Sequence, residues 1–143
     1  MKLREILRSG LEEVHREVER SPQLIHALLG PRQVGKTTLV EQLIKSGVRG
    51  HMVSADGELR RPASWIDEQW ALSANTAQPG DVFIIDEIQK VENWSEALKR
   101  IWDLELRKPA PERRRMLVRG ASSLEMQNGL SESLAGRFWL HSL

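Results

Sequence analysis

The chain contains no cysteine, which removes disulfides and thiolate-held metals and fits a reducing compartment. It also lacks an excess of either charge. Lys and Arg number 21 against 20 Asp and Glu, a formal net charge of +1, so composition makes no global case for nucleic-acid binding, although charge can still cluster locally. No stretch approaches the ~20 apolar residues that a bilayer crossing needs. Met1 to Arg20 carries charges throughout and holds no apolar segment of the secretory kind. A cytoplasmic protein without membrane contact is therefore expected. His15, His26, His51 and His141 are scattered without metal-site spacing and read as ordinary core or surface residues. Repeats and low-complexity tracts are absent too. What remains is 143 residues, 40% hydrophobic and 29% charged, the profile of one soluble domain with a sizeable core.

One short motif says most about function. Gly30 to Thr37 reads G-P-R-Q-V-G-K-T, a complete match to the phosphate-binding loop G-x-x-x-x-G-K-[ST]. Gly30 and Gly35 permit backbone angles and a close approach that a Cβ would obstruct, so successive N–H groups can turn inward around phosphate oxygens. Lys36 adds a mobile point charge for the β- and γ-phosphates, and the Thr37 hydroxyl is placed to ligate the Mg²⁺ that bridges them. Thr38 opens a helix whose N-terminus favours anions. The expected nucleotide-binding set is thus Gly30, Pro31, Arg32, Gln33, Val34, Gly35, Lys36, Thr37 and Thr38.

The surroundings agree with the motif. Leu24 to Leu29 (L-I-H-A-L-L) suits a buried strand, and Leu39, Val40, Leu43 and Ile44 fall at helical spacing after the loop. A second signature, Asp81 to Glu87 (D-V-F-I-I-D-E), places four apolar residues before two carboxylates. It predicts a central parallel strand whose acidic residues emerge at the carboxyl end, where open α/β sheets bind ligands. Asp86 would hold Mg²⁺ as the Walker B aspartate, and Glu87 would polarise the attacking water as general base. The competing reading of such a pair is a helix N-cap.

Further along, strands and helices keep alternating. His51 to Ser54 reads as a strand, and Ser64 as the cap of a helix carrying Trp65, Ile66 and Trp70. Pro79-Gly80 marks a turn, Glu92 to Leu106 a third helix ended by Pro109 and Pro111, and Arg115 to Val118 a strand. A last helix near Ser131 to Ala135 precedes the apolar Phe138 to Leu140. At the N-terminus, Leu3, Ile6, Leu7, Leu11, Val14 and Val18 mark an amphipathic helix over residues 1–20 that should pack on the sheet. Alternation of this kind means an α/β, three-layer α-β-α sandwich with a mainly parallel sheet, the P-loop NTPase arrangement.

Together, G-P-R-Q-V-G-K-T-T, D-E-I-Q-K-V-x-N-W from Asp86 to Trp94, and S-E-S-L-A-G-R from Ser131 to Arg137 resemble the AAA-type ATPase domain of a large set of prokaryotic P-loop proteins. The resemblance runs from about Leu24 to Leu140. It implies adenine as the base, helped by the lack of an N-K-x-D guanine motif. It also implies a small polar residue after the fourth strand that senses the γ-phosphate. Relatives read T-G-S-S where this chain has Arg119, Gly120, Ala121, Ser122 and Ser123, so Arg119 and Ala121 depart from the pattern and Ser122 is the candidate sensor. Arg137 occupies the position of an arginine finger that acts in trans across a homo-oligomer; the alternative is a structural salt bridge. Relatives continue beyond the final strand with a P-L-[ST]-F-x-E-like segment, whereas this sequence stops at Leu143. A core over residues 21–143, truncated at its C-terminus, is expected.

Two features carry a functional and a bland reading. The run Arg113, Arg114 and Arg115 suits either nucleic-acid phosphates or a solvated loop, and the loop is preferred because no aromatic residues interleave. Trp65, Trp70, Trp94, Trp102 and Trp139 read mostly as core, with Trp94 the one to watch as an adenine platform. Two functions follow: an Mg·ATP-hydrolysing core that turns hydrolysis into conformational change, or an ATP-binding regulatory module that hardly turns over. Glu87 favours the first, because a pure binder needs no base.

Overall fold

The computed structural model describes residues 16, 18, 20–29, 47, 49–121 and 123–142. The phosphate-loop motif, the helix expected after it and Ser122 lie outside the described residues. Of the expected N-terminal helix, Arg16, Val18 and Arg20 are described; all three are helical and Val18 is buried.

Among the described residues, five strands form one sheet: β1 Ile25–Leu29, β2 Gly50–Ser54, β3 Val82–Asp86, β4 Arg115–Gly120 and β5 Phe138–Ser142. Their spatial order is β2-β3-β4-β1-β5, and every pairing is parallel. The expectation of a mainly parallel sheet becomes a wholly parallel one. Burial explains why the inner strands were legible. All of β1 and Val82 to Ile85 of β3 are buried, so neither strand needs a polar face and each reads as a continuous apolar run. At the sheet edge, β2 alternates between half-buried and exposed residues.

Among the described residues after β1, three helices lie between strands, α1 Ser64–Ser73, α2 Trp94–Glu105 and α3 Leu124–Glu132. α2 buries Trp94, Ala97, Leu98, Ile101, Trp102 and Glu105, the i, i+3, i+4 stripe of a helix laid on a sheet. Ile66 of α1 and Met126 and Leu130 of α3 join it in one cluster with Ile25, Ala27, Leu29, Phe83, Ile85, Met116 and Val118. Because side chains alternate along a strand, the other sheet face carries Leu28, Val82, Ile84 and Leu117. These are fully buried as well, as a sheet covered on both sides requires.

Four expectations need correction. Ala63, not Ser64, occupies the cap position of α1, and no side chain caps it. The last helix spans Leu124–Glu132 and is capped by the Ser123 hydroxyl, which accepts from the Met126 N–H at 3.1 Å. It ends where a helix had been expected to begin. Gly129 lies within it because a Cβ there would come within 2.6 Å of the Trp94 ring. Trp94 is therefore a core residue, 4% exposed and packed on Gly129, rather than an adenine platform. Lastly, the basic run is no solvated loop. Arg114 is buried, lies 3.4 Å over the Trp70 ring, and donates to Trp70 O and Ser73 Oγ, while its own N–H donates to Glu105 Oε2 at 2.7 Å. Arg113 donates to Lys108 O and Leu106 O, and Arg115 to Gly80 O.

Candidate functional site

In the order β2-β3-β4-β1-β5, β1 connects leftward to β2 while β4 connects rightward to β5. The crevice between neighbouring strands whose connections diverge is the expected ligand site of an open parallel sheet. Here it opens at the carboxyl ends of β1 and β4, where Leu29 is paired with Gly120. The phosphate-loop motif begins at Gly30, the next residue.

Asp86 ends β3. It shares a face with Val82 and Ile84, away from the helices α1 to α3. Its backbone oxygen accepts from Ala55 N at 3.0 Å, which ties down the loop after β2. Register places Ile85 beside Val118, hence Asp86 beside Arg119. The side chains meet: Arg119 Nε donates to Asp86 Oδ1 at 2.7 Å and Nη2 lies 2.5 Å from Oδ2. The arginine side chain is 2% exposed and the aspartate 18%. Arg119, visible in sequence only as a departure, is thus a buried cation in the second strand of the crevice, two-handed on the carboxylate expected to hold magnesium.

Glu87 follows with φ 55° and ψ 45°, a left-handed conformation uncommon outside glycine. It occupies the cap position of a 3₁₀ turn, Ile88–Lys90, yet its side chain makes no capping bond. The carboxylate is held instead by Gln89, whose Nε2 donates to Glu87 Oε2 at 2.6 Å. Gln89 Oε1 is buried and without a partner among the described residues, and an added Cβ on Gly120 would stand 2.5 Å from it. Glycine at 120 thereby makes room for Gln89 between the turn and the end of β4. Gln89 belongs to the D-E-I-Q string but carried no role in sequence; its signal is an amide two residues beyond a carboxylate. Around it, Lys90 pairs with Asp56, Arg61 N donates to Lys90 O at 3.0 Å and Glu92 N to Arg61 O at 2.8 Å. Gly57, Glu58, Leu59, Arg60, Gln89 and Lys90 line a cavity of about 260 Å³.

The remaining candidates are placed elsewhere. Ser123, which follows the candidate sensor Ser122 in sequence, is engaged as the cap of α3. Arg137 precedes β5, so it stands at the amino edge of the sheet, about 17 Å of strand away from the carboxyl edge. It forms a two-handed pair with Asp103, Nε to Oδ1 at 2.8 Å and Nη2 to Oδ2 at 3.1 Å. That hydrogen bond raises the Arg137 pKa, and the same contact holds the Asp103 carboxyl below its usual value. Within one chain Arg137 is out of reach of Asp86. A second cavity, about 320 Å³ and lined in part by Pro22, Pro79, Pro111 and Arg113, also lies at the amino edge. Among the described residues, no three His, Cys, Asp or Glu form a metal cluster. Magnesium asks less, one or two carboxylates beside phosphate oxygens. Asp86 fits this, because a carboxylate has about four lone-pair sites and Arg119 occupies two.

A family model described as an AAA domain matches residues 22–143. The chain belongs to that family. Its fold is also that of solved structures. Cdc6p from Pyrobaculum aerophilum aligns with TM-score 0.66 and 14% identity, over 93% of this chain and 44% of that one. The Aeropyrum pernix Orc1 protein, solved in complex with DNA, gives 0.65 and 14% over 93% and 44%. A Thermotoga maritima RuvB P216G mutant gives 0.60 and 24% over 97% and 45%. The AAA domain described here therefore spans under half the length of those chains. No curated protein matches it. No helix among the described residues is long and apolar enough to cross a membrane.

Proposed function

We infer that this AAA domain binds Mg·ATP between β1 and β4 and hydrolyses it, converting hydrolysis into conformational change. Gly30 to Thr38 would wrap the phosphates, with Lys36 on the outer two, and Thr37 and Asp86 would hold the magnesium ion, which supplies charge neutralisation there. Glu87 is the base for the attacking water, Ser122 is the candidate γ-phosphate sensor, and Arg137 serves a neighbouring subunit if the domain assembles with copies of itself. The cytoplasm, where ATP is abundant, is the proposed location, and nucleic acid is left aside as a partner because Arg113 to Arg115 are engaged within the chain. The observation that supports this reading is the meeting, at one sheet edge, of the end of β1, which the motif follows in sequence, the end of β4 and the Asp86-Glu87 pair.

A specific observation favours the second reading, an ATP-binding regulatory module with little turnover. Both oxygens of Asp86 face Arg119, and the Glu87 carboxylate is held by Gln89. A base already engaged by an amide donor is less able to take a proton from water. Two measurements separate the readings. Titration of Mg·ATP into the chain and into Lys36→Ala should give saturable binding that the variant loses. Phosphate release should then fall about 100-fold in Glu87→Gln if Glu87 is the base; release that is undetectable in the parent chain, with binding intact, selects the regulatory module.

A further inference from the structure

Arg119 carries more than its pair with Asp86 explains. A buried guanidinium has five N–H donors, each of which needs a partner. Nε and Nη2 are taken by Asp86, but Nη1 is buried and has no partner among the described residues. It lies on the part of the planar fork turned away from the aspartate. The surrounding strands indicate what kind of partner suits it. β4 runs between β3 and β1, and Arg119 is in register with Leu28, two residues before Gly30. On one side of Arg119 is therefore the carboxylate of Asp86, and on the other the strand that feeds the phosphate-binding motif. A spare cationic N–H in that position calls for an anionic oxygen, and a guanidinium is the side chain best suited to share itself between a carboxylate and a phosphate.

We propose that Arg119 is the specificity residue that makes this site prefer a nucleoside triphosphate over a diphosphate, its free Nη1 N–H donating to an outer phosphate oxygen while Nε and Nη2 keep Asp86. The inference rests on the reading that the site binds nucleotide. The outer phosphate is assigned because a magnesium ion held by Asp86 would neutralise charge on the outer phosphates, so a cation sharing that carboxylate would stand at the far end of the phosphate chain from the base. A hydroxyl sensor such as Ser122 is then not required for the discrimination. The geometry also explains why arginine is accepted in the interior: Asp86 neutralises it when the phosphate is absent, and the phosphate completes its set of partners when present.

The test measures affinities for Mg·ATP and Mg·ADP, by heat or tryptophan fluorescence, in the parent chain, Arg119→Met, Arg119→Lys and Lys36→Ala. Loss of one charge-assisted hydrogen bond should weaken ATP binding at least tenfold in Arg119→Met, with ADP changed less than about threefold. Arg119→Lys keeps the charge but has one point to offer two anions, so it should fold like the parent and still lose most of the ATP-over-ADP ratio. A ratio unchanged in Arg119→Lys overturns the proposal. So does an equal loss for both nucleotides in Arg119→Met, which would mark Arg119 as purely structural. A melting curve for each variant without nucleotide shows whether Arg119→Met is folded, and if it is not, the lysine variant decides. Failure of the parent chain to bind either nucleotide would bring down the nucleotide-site reading itself, and this proposal with it.

Discussion

The two edges of the sheet treat buried polar groups differently. At the amino edge, the Asp81 carboxylate collects Gln78 N at 2.9 Å, Arg49 Nε at 3.1 Å and His51 Nε2 at 3.1 Å. Burial alone would raise its pKa, but these donors pull it below the usual value. Arg114 is likewise surrounded, by Glu105, Trp70 and Ser73. That edge closes on itself, and an internally satisfied network is how a protein tolerates charge in its interior. At the carboxyl edge the sums do not close. Among the described residues, the buried side-chain atoms without a partner are Arg61 Nε, Gln89 Oε1, Arg119 Nη1 and His141 Nδ1. Arg61 and Gln89 lie in loops that follow the ends of β2 and β3, and Arg119 and His141 near the ends of β4 and β5. Unmet hydrogen-bonding capacity among the described residues gathers at the edge proposed to take nucleotide, whereas equal burial at the other edge is met within the scaffold.

Predictions that break or sharpen this contrast can be ranked by size. The largest belongs to the scaffold edge. Glu105 is 3% exposed and meets the Arg114 N–H, the Arg114 guanidinium and Lys108, so Glu105→Ala strands a buried cation. Stability should fall by about 3–5 kcal/mol, read by urea unfolding, with nucleotide affinity of the folded fraction unaltered. A change in affinity comparable to the stability loss would break the division between edges.

Next is a pH effect at the other edge. His26 Nε2 donates to Ser21 O at 2.9 Å, and His26 Nδ1 shares a 3.1 Å hydrogen bond with His141 Nε2. Burial first, and then the charge on His26, lower the His141 pKa from 6.5 to about 4. The unfolded chain therefore binds a proton that the folded chain refuses between those values. Stability is fully present above pH 6.5 and is lost as pH falls towards 4, by up to about 3 kcal/mol. Asp81 and Asp103, whose carboxyls sit below 3.8, contribute losses only at lower pH. Unfolding free energy measured from pH 7 to 4 should show this slope, and His141→Leu should flatten it.

Smaller again is Gly120→Ala. Its Cβ would meet Gln89 Oε1 at 2.5 Å, forcing the amide to move at a cost of about 1–3 kcal/mol. If Gln89 restrains Glu87, the variant should release phosphate from ATP faster than the parent while being less stable; slower or equal turnover would mean that Gln89 supports Glu87 or is indifferent to it. The smallest effect is expected for Arg137→Ala. Its partner Asp103 is 41% exposed, and solvent-screened pairs of that kind contribute little to stability. A shift in melting temperature of a degree or two, with binding unchanged at low protein concentration but turnover lost at high concentration, would favour action in trans.

What was legible in the chain follows from the same physics. β1, β3 and β4 were readable within about two residues because strands buried on both faces spell uninterrupted apolar runs. The stripe of α2 was readable because Trp94, Leu98, Ile101 and Trp102 recur on one side of a helix. α3 was misplaced because Gln127, Asn128 and Gly129 look like a turn, and only the Trp94 ring lying against it explains a mid-helix glycine. The fate of the basic run was hidden for a related reason: that Glu105 would lie beside Arg114 is a property of how α2 returns to β4, not of either residue's neighbours in sequence. Asp86 and Glu87 were found by motif and position. Arg119 and Gln89, which engage them, were visible only as an odd arginine and an unassigned amide, since the contacts that give them meaning cross between separate segments of backbone.

The contrast between the edges is tested most directly by amide hydrogen exchange on the full chain with and without saturating Mg·ATP. The account predicts slowed exchange at residues 86–90 and 119–123 and no change at residues 78–81 and 113–115. Protection confined to the amino-edge segments, or none at the carboxyl edge under conditions where binding is saturated, would contradict it.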